Sequence, residues 1–159
     1  MKKELKKRLV YLFTGELSAI IVFIYLYFFY SVNPNNSYSL MYVFFILIFI
    51  LLQGSFYWFI KWRNIKSKRT ISSYLYKFLN VLKKINITLL CIAPIILLFD
   101  IFVLERVSFL SFLLSMFIYA FAIIEYINYY HIQLTNYKNG RGKKSSIAKE
   151  ISTFLSTKY

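Results

Sequence analysis

Glu16 and Glu125 each lie inside an otherwise apolar stretch, and they are the residues with the most chemistry to offer. At ~1.5 Å of rise per helical residue, each sits roughly 10 Å from the charged edge of its stretch. Carboxyl groups withdrawn from water and set near one another take up protons or cations readily, as proton-coupled membrane sites do. Gln53, Asn128 and Tyr129 reach a similar depth as orienting partners, with His131 as an exit toward water. These six residues form a candidate buried polar layer, to which Asn86 and Thr88 add further polar groups. A second reading uses the same glutamates as glue, each reaching back to Lys7, Lys61, Arg63 or Lys84. Depth along a helix does not separate the two, and both stay open.

Catalysis requires more than this. The sequence holds no G-x-S-x-G nucleophile elbow, no H-E-x-x-H and no glycine-rich phosphate loop, so no enzymatic activity and no cofactor are expected. Cys91 is the only cysteine and His131 the only histidine, which excludes an internal disulfide and speaks against a metal centre. Asp100 stands apart, with Glu105 and Arg106 as its only charged neighbours in sequence. Pairing with Arg106, snorkelling outward and a gating role are its three readings.

The elements that must carry these groups are plain. Four apolar runs fill most of the 159 residues: Leu9 to Tyr30, Leu40 to Ile60, Ile87 to Leu104 and Val107 to Tyr130. Each is close to or above the ~20 residues that span a bilayer as a helix. The expectation is an all-α, integral membrane four-helix bundle of two antiparallel hairpins, one domain over residues 1–159. On the fourth run, Ser108, Ser111, Ser115, Ile118, Ala122, Glu125 and Tyr129 recur at three- and four-residue steps. Such a small and polar stripe marks a packing seam and turns Glu125 toward the bundle. Pro94 in the third run leaves the Leu90 carbonyl without its helical donor and predicts a kink.

Charge fixes an orientation. The net charge is +14, and nineteen of twenty Lys and Arg fall before the first run, between the second and third, or after the fourth. The positive-inside rule then puts both termini and the middle connection in the cytoplasm, against an anionic inner leaflet. Cations flanking membrane spans, with no nucleic-acid fold between them, argue against a nucleic-acid partner. The basic opening MKKELKKR followed by a long run reads as an uncleaved anchor rather than a signal peptide. Asn35-Asn36-Ser37 matches a glycosylation acceptor that means only a polar turn in a bacterium.

Around the spans, residues 70–85 carry an apolar stripe from Ile71 to Ile85 that suits either a surface helix or an extension of the third span. Pro34 and its asparagines mark a turn. In the basic tail 131–159, two glycines break the fourth helix, and Ser145 or Ser146 caps a short helix with Ile147, Ile151, Phe154 and Leu155 on one side. The segment Ile124 to Leu134, IEYINYYHIQL, with the following SSIAKEI, resembles the end of uncharacterised small four-span membrane proteins of Gram-positive bacteria. That resemblance implies a bacterial plasma-membrane location and no particular activity. The expected role is an interaction or accessory module binding other membrane proteins or itself as a homo-oligomer; the alternative is an oligomeric ion or proton pathway.

Overall fold

A computed structural model describes residues 2–31, 38–67, 73–104, 108–138 and 141–156. The chain forms helices α1 (Lys2–Ser31), α2 (Tyr38–Ser67), α3 (Ser73–Phe99), α4 (Phe109–Tyr130) and α5 (Ser146–Ser156). Helices α1 to α4 are each long and apolar enough to cross a membrane, so this is a multi-pass membrane protein. Hydrocarbon offers backbone amides no partner, and a helix satisfies them within its own segment.

Helix α2 is the centre of the packing and lies against α1, α3 and α4. Its Ile46, Leu47 and Ile50 are wholly buried, as are Ile118 and Ala122 on α4. The Phe23 ring of α1 stands 6.5 Å from Phe44 on α2 and 5.6 Å from Phe121 on α4, which draws three helices together. Outward faces keep Tyr11, Ile21, Tyr25 and Phe29 of α1 and Phe109 and Phe117 of α4 exposed.

Helix α3 begins at Ser73, so the apolar stripe over its first turns belongs to the same continuous helix as the third run. It passes through Pro94 as helix, and the Leu90 carbonyl that Pro94 orphans accepts a hydrogen bond from the Tyr119 hydroxyl of α4 at 3.1 Å. A π-helical turn, Asp100–Leu104, follows. Asp100 is buried there and its Oδ2 accepts the Ser39 backbone amide at 2.6 Å. A carboxylate from one helix thus caps the first turn of another, where free amides and the positive end of the dipole lie. Arg106, the expected partner of Asp100, lies outside the described residues.

Two expectations need correcting. The chain is predominantly helical, but the tail does not run straight from α4 into its short helix: Ile132–Lys138 (β1) and Arg141–Lys144 (β2) pair antiparallel, with Ile132 opposite Lys144, Lys138 opposite Arg141 and an irregularity between Gln133 and Tyr137. The chain has already left α4 at His131, well before either glycine. The small stripe of α4 is also shorter than expected. Ser115, Ile118, Ala122 and Tyr129 are buried, but Ser108 is exposed and caps the helix, accepting the Ser111 amide at 3.2 Å.

Ser145 joins the two helices flanking the strands. Its amide donates to the His131 carbonyl, its hydroxyl donates to the Tyr129 carbonyl, and its Oγ accepts the Ala148 amide at 3.1 Å. One side chain therefore caps the start of α5 and ties it to the end of α4. Ile147 and Ile151 turn inward, Phe154 meets Tyr76 of α3 at 5.9 Å, and Glu150 bonds Lys61 of α2 at 2.8 Å.

Candidate functional site

The expected polar layer separates into two groups. Gln53 of α2 and Asn86 of α3 form a reciprocal amide pair, Nε2 to Oδ1 at 3.0 Å and Nδ2 to Oε1 at 2.7 Å. The Tyr130 hydroxyl of α4 donates to the same Gln53 Oε1 at 2.7 Å. All three side chains are buried, so three helices are pinned at one level by a closed set of hydrogen bonds. In a membrane such a network fixes register, because each group has no other source of partners at that depth. Gln53 is therefore not an orienting partner of the glutamates.

The second group gathers around Tyr129. Its hydroxyl is buried and faces both Glu16 and Glu125. Glu125 Oε2 accepts from Asn128 Nδ2 at a long 3.4 Å. Tyr129 reaches this position because Gly54 of α2 has no side chain. A Cβ at Gly54 would lie 2.6 Å from the Tyr129 hydroxyl and 2.8 Å from its Cε1. Neither glutamate pairs with a cation among the described residues. Lys61, proposed as one such partner, is held instead by Glu150 and by the Tyr57 hydroxyl at 3.0 Å.

A cavity of about 70 Å³ opens beside this group, lined by Glu16, Asn128, Tyr129, Trp58, Gln133 and Ser145 among others. It has room for a few waters. The indole Nε1 of Trp58, on that wall, is buried without a partner among the described residues. His131 lies outside the lining. It is exposed at the end of α4 with its ring 5.5 Å from Tyr126. Partial burial and then the nearby Lys83 charge push the pKa of its imidazole down.

No family model, curated protein or solved structure matches this chain.

The arrangement itself is what speaks. The Glu16 carboxyl, a phenol and an amide face a small cavity, with the Glu125 carboxyl beside the phenol but outside the lining, a set able to bind and pass a proton or hold one small cation. It supplies no activated nucleophile, and among the described residues no three His, Cys, Asp or Glu side chains come together as metal ligands. A larger cleft of about 230 Å³ shares Leu12, Trp58, Gln133 and Ser146 with the first and opens among Arg8, Lys61, Lys143, Lys144 and Lys149. Sequence reasoning missed Trp58, Ser145 and Tyr130 as members of this region. Tyr130 carried a signal, since a polar tip one residue from Tyr129 points to a different neighbour helix. Ser145 and Trp58 carried none, because their positions depend on how the strand pair returns the chain.

Proposed function

We propose that the chain is a non-enzymatic membrane module that binds other membrane proteins or a second copy of itself, in a bacterial plasma membrane with its basic end in the cytoplasm. The outward face of α1 is the observation that supports this most. Thr14, Gly15 and Ser18 are exposed there, and a Cβ at Gly15 would meet nothing within 4 Å. The Thr14 and Ser18 hydroxyls bond carbonyls of their own helix, Val10 and Thr14, at 2.9 Å each. Lipid has no need of a bare backbone, whereas a second helix packs closely on small residues spaced in this way. The resemblance of Ile124 to Leu134 to Gram-positive four-span proteins supports the location, and the positive-inside rule supports the orientation. Site-specific crosslinking from position 15 in native membranes is expected to give a defined adduct that Ser18→Leu abolishes. Recovery of the monomer alone would overturn the reading.

The uncompensated pair Glu16 and Glu125 favours a second reading, a proton or cation site. Ile46, Leu47 and Ile50 close the interior between that pair and the Asp100 end, so a pathway would run between copies. Liposomes carrying the protein are then expected to pass protons or cations, with Glu125→Gln abolishing the flux. Vesicles no leakier than empty ones would remove this alternative.

A further inference from the structure

We infer that the cleft at the basic end is a stoichiometric site for the phosphate group of an anionic phospholipid. Arg8 of α1, Lys61 of α2, Lys143 and Lys144 of β2 and Lys149 of α5 surround it. Only Lys61 is neutralised, by Glu150 at 2.8 Å; the other four make no ion pair among the described residues. Bringing like charges from four elements to one cavity is unfavourable unless an anion is shared between them. The start of α5, an eleven-residue helix whose Ser146 lines the cleft, adds the positive end of its dipole.

Size and depth select the anion. About 230 Å³ is below the roughly 300 Å³ where small-molecule sites usually begin, which suits a phosphate headgroup better than a nucleotide. Arg8 immediately precedes the first apolar run and Lys61 immediately follows the second, so the cleft lies where hydrocarbon gives way to headgroups. Leu9 and Leu12 continue its wall into the apolar zone, where acyl chains would begin. A free phosphate ester would meet the same cations and gain nothing from the leucines.

Native mass spectrometry of the whole protein in neutral detergent tests this, with phosphatidylglycerol, phosphatidylcholine and inorganic phosphate as probes. One phosphatidylglycerol is expected to stay bound at concentrations where phosphatidylcholine does not. The pair Lys143→Gln and Lys144→Gln is expected to weaken it about thirtyfold, at ~1 kcal/mol per cation and 1.4 kcal/mol per decade. Lys66→Gln with Lys77→Gln removes equal charge from outside the cleft, beside the Trp62 and Tyr74 rings, and is expected to change little. If circular dichroism shows the first pair misfolded, Lys149→Gln alone carries the comparison, with about a fivefold loss expected. Equal weakening by the two pairs would reduce the effect to general surface charge and overturn the site. Inorganic phosphate displacing the lipid at equal concentration would reassign it to a soluble anion, and equal retention of phosphatidylcholine would remove it altogether.

Discussion

At Gly54 a single methyl group decides whether Tyr129 keeps its place between Glu16 and Glu125. The atoms it would strike are at the far end of the tyrosine ring, but that ring is 3% exposed and can retreat only by displacing its neighbours. Overpacking of this kind costs about 1–3 kcal/mol. Gly54→Ala is therefore expected to lower the thermal midpoint in detergent, followed by circular dichroism, and Tyr129→Leu in the same chain to restore it. An unchanged midpoint would mean that the ring has space not apparent here. The glutamates stood out in the sequence because a carboxyl group in an apolar run needs a proton, a cation or a hydrogen-bonding partner. Of the expected partners, Tyr129 and Asn128 lie beside them but Gln53 does not, since position along a helix gives depth but not which neighbouring helix a side chain faces. Gln53 shares their depth and yet bonds Asn86 and Tyr130.

Among the elements, the break at Pro94 shows how one helix repairs another. Tyr119→Phe removes the donor that reaches the Leu90 carbonyl and is expected to cost roughly 1 kcal/mol, a usual value for a hydrogen bond between spanning helices. In a Pro94→Ala background the restored amide takes over that carbonyl, and the same change should cost measurably less. Equal costs in both backgrounds, in a double-mutant cycle of unfolding, would show that the bond does not serve the proline. The orphan carbonyl was readable from the proline alone; the phenol that meets it, 29 residues further on, was not. The strand pair is a different kind of miss. In sequence, Asn139-Gly140 falls between these two strands, outside the described residues, and Asn-Gly is the strongest short-range hairpin signal in any sequence. Reading the glycines only as helix breakers hid it.

For the molecule as a whole, solvent dictated most of what could be read. Four continuous apolar runs are required by a medium that forbids bare amides, and all four became helices. On the proposed orientation, cysteines introduced by Lys66→Cys and by Tyr38→Cys in a Cys91→Ser background should behave oppositely in intact cells. A membrane-impermeant maleimide is expected to label the second and spare the first. Labelling of Lys66→Cys would invert the topology and carry the basic cleft to the outer face. Ties between helices such as Asp100 to Ser39 were beyond reading because they depend on how helices sit side by side, about which composition says nothing.

The buried amide pair also bears on how the protein is made. Gln53 meets Asn86 33 residues later and Tyr130 77 residues later. A ribosome adding about 5–20 residues per second delivers that last partner roughly 4–15 s after the glutamine. Until Asn86 emerges, roughly 2–7 s after the glutamine at that rate, the second helix carries an unsatisfied amide, so it is poorly suited to release into open lipid on its own. Retention beside the insertion machinery until its later partners emerge would spare it that exposure.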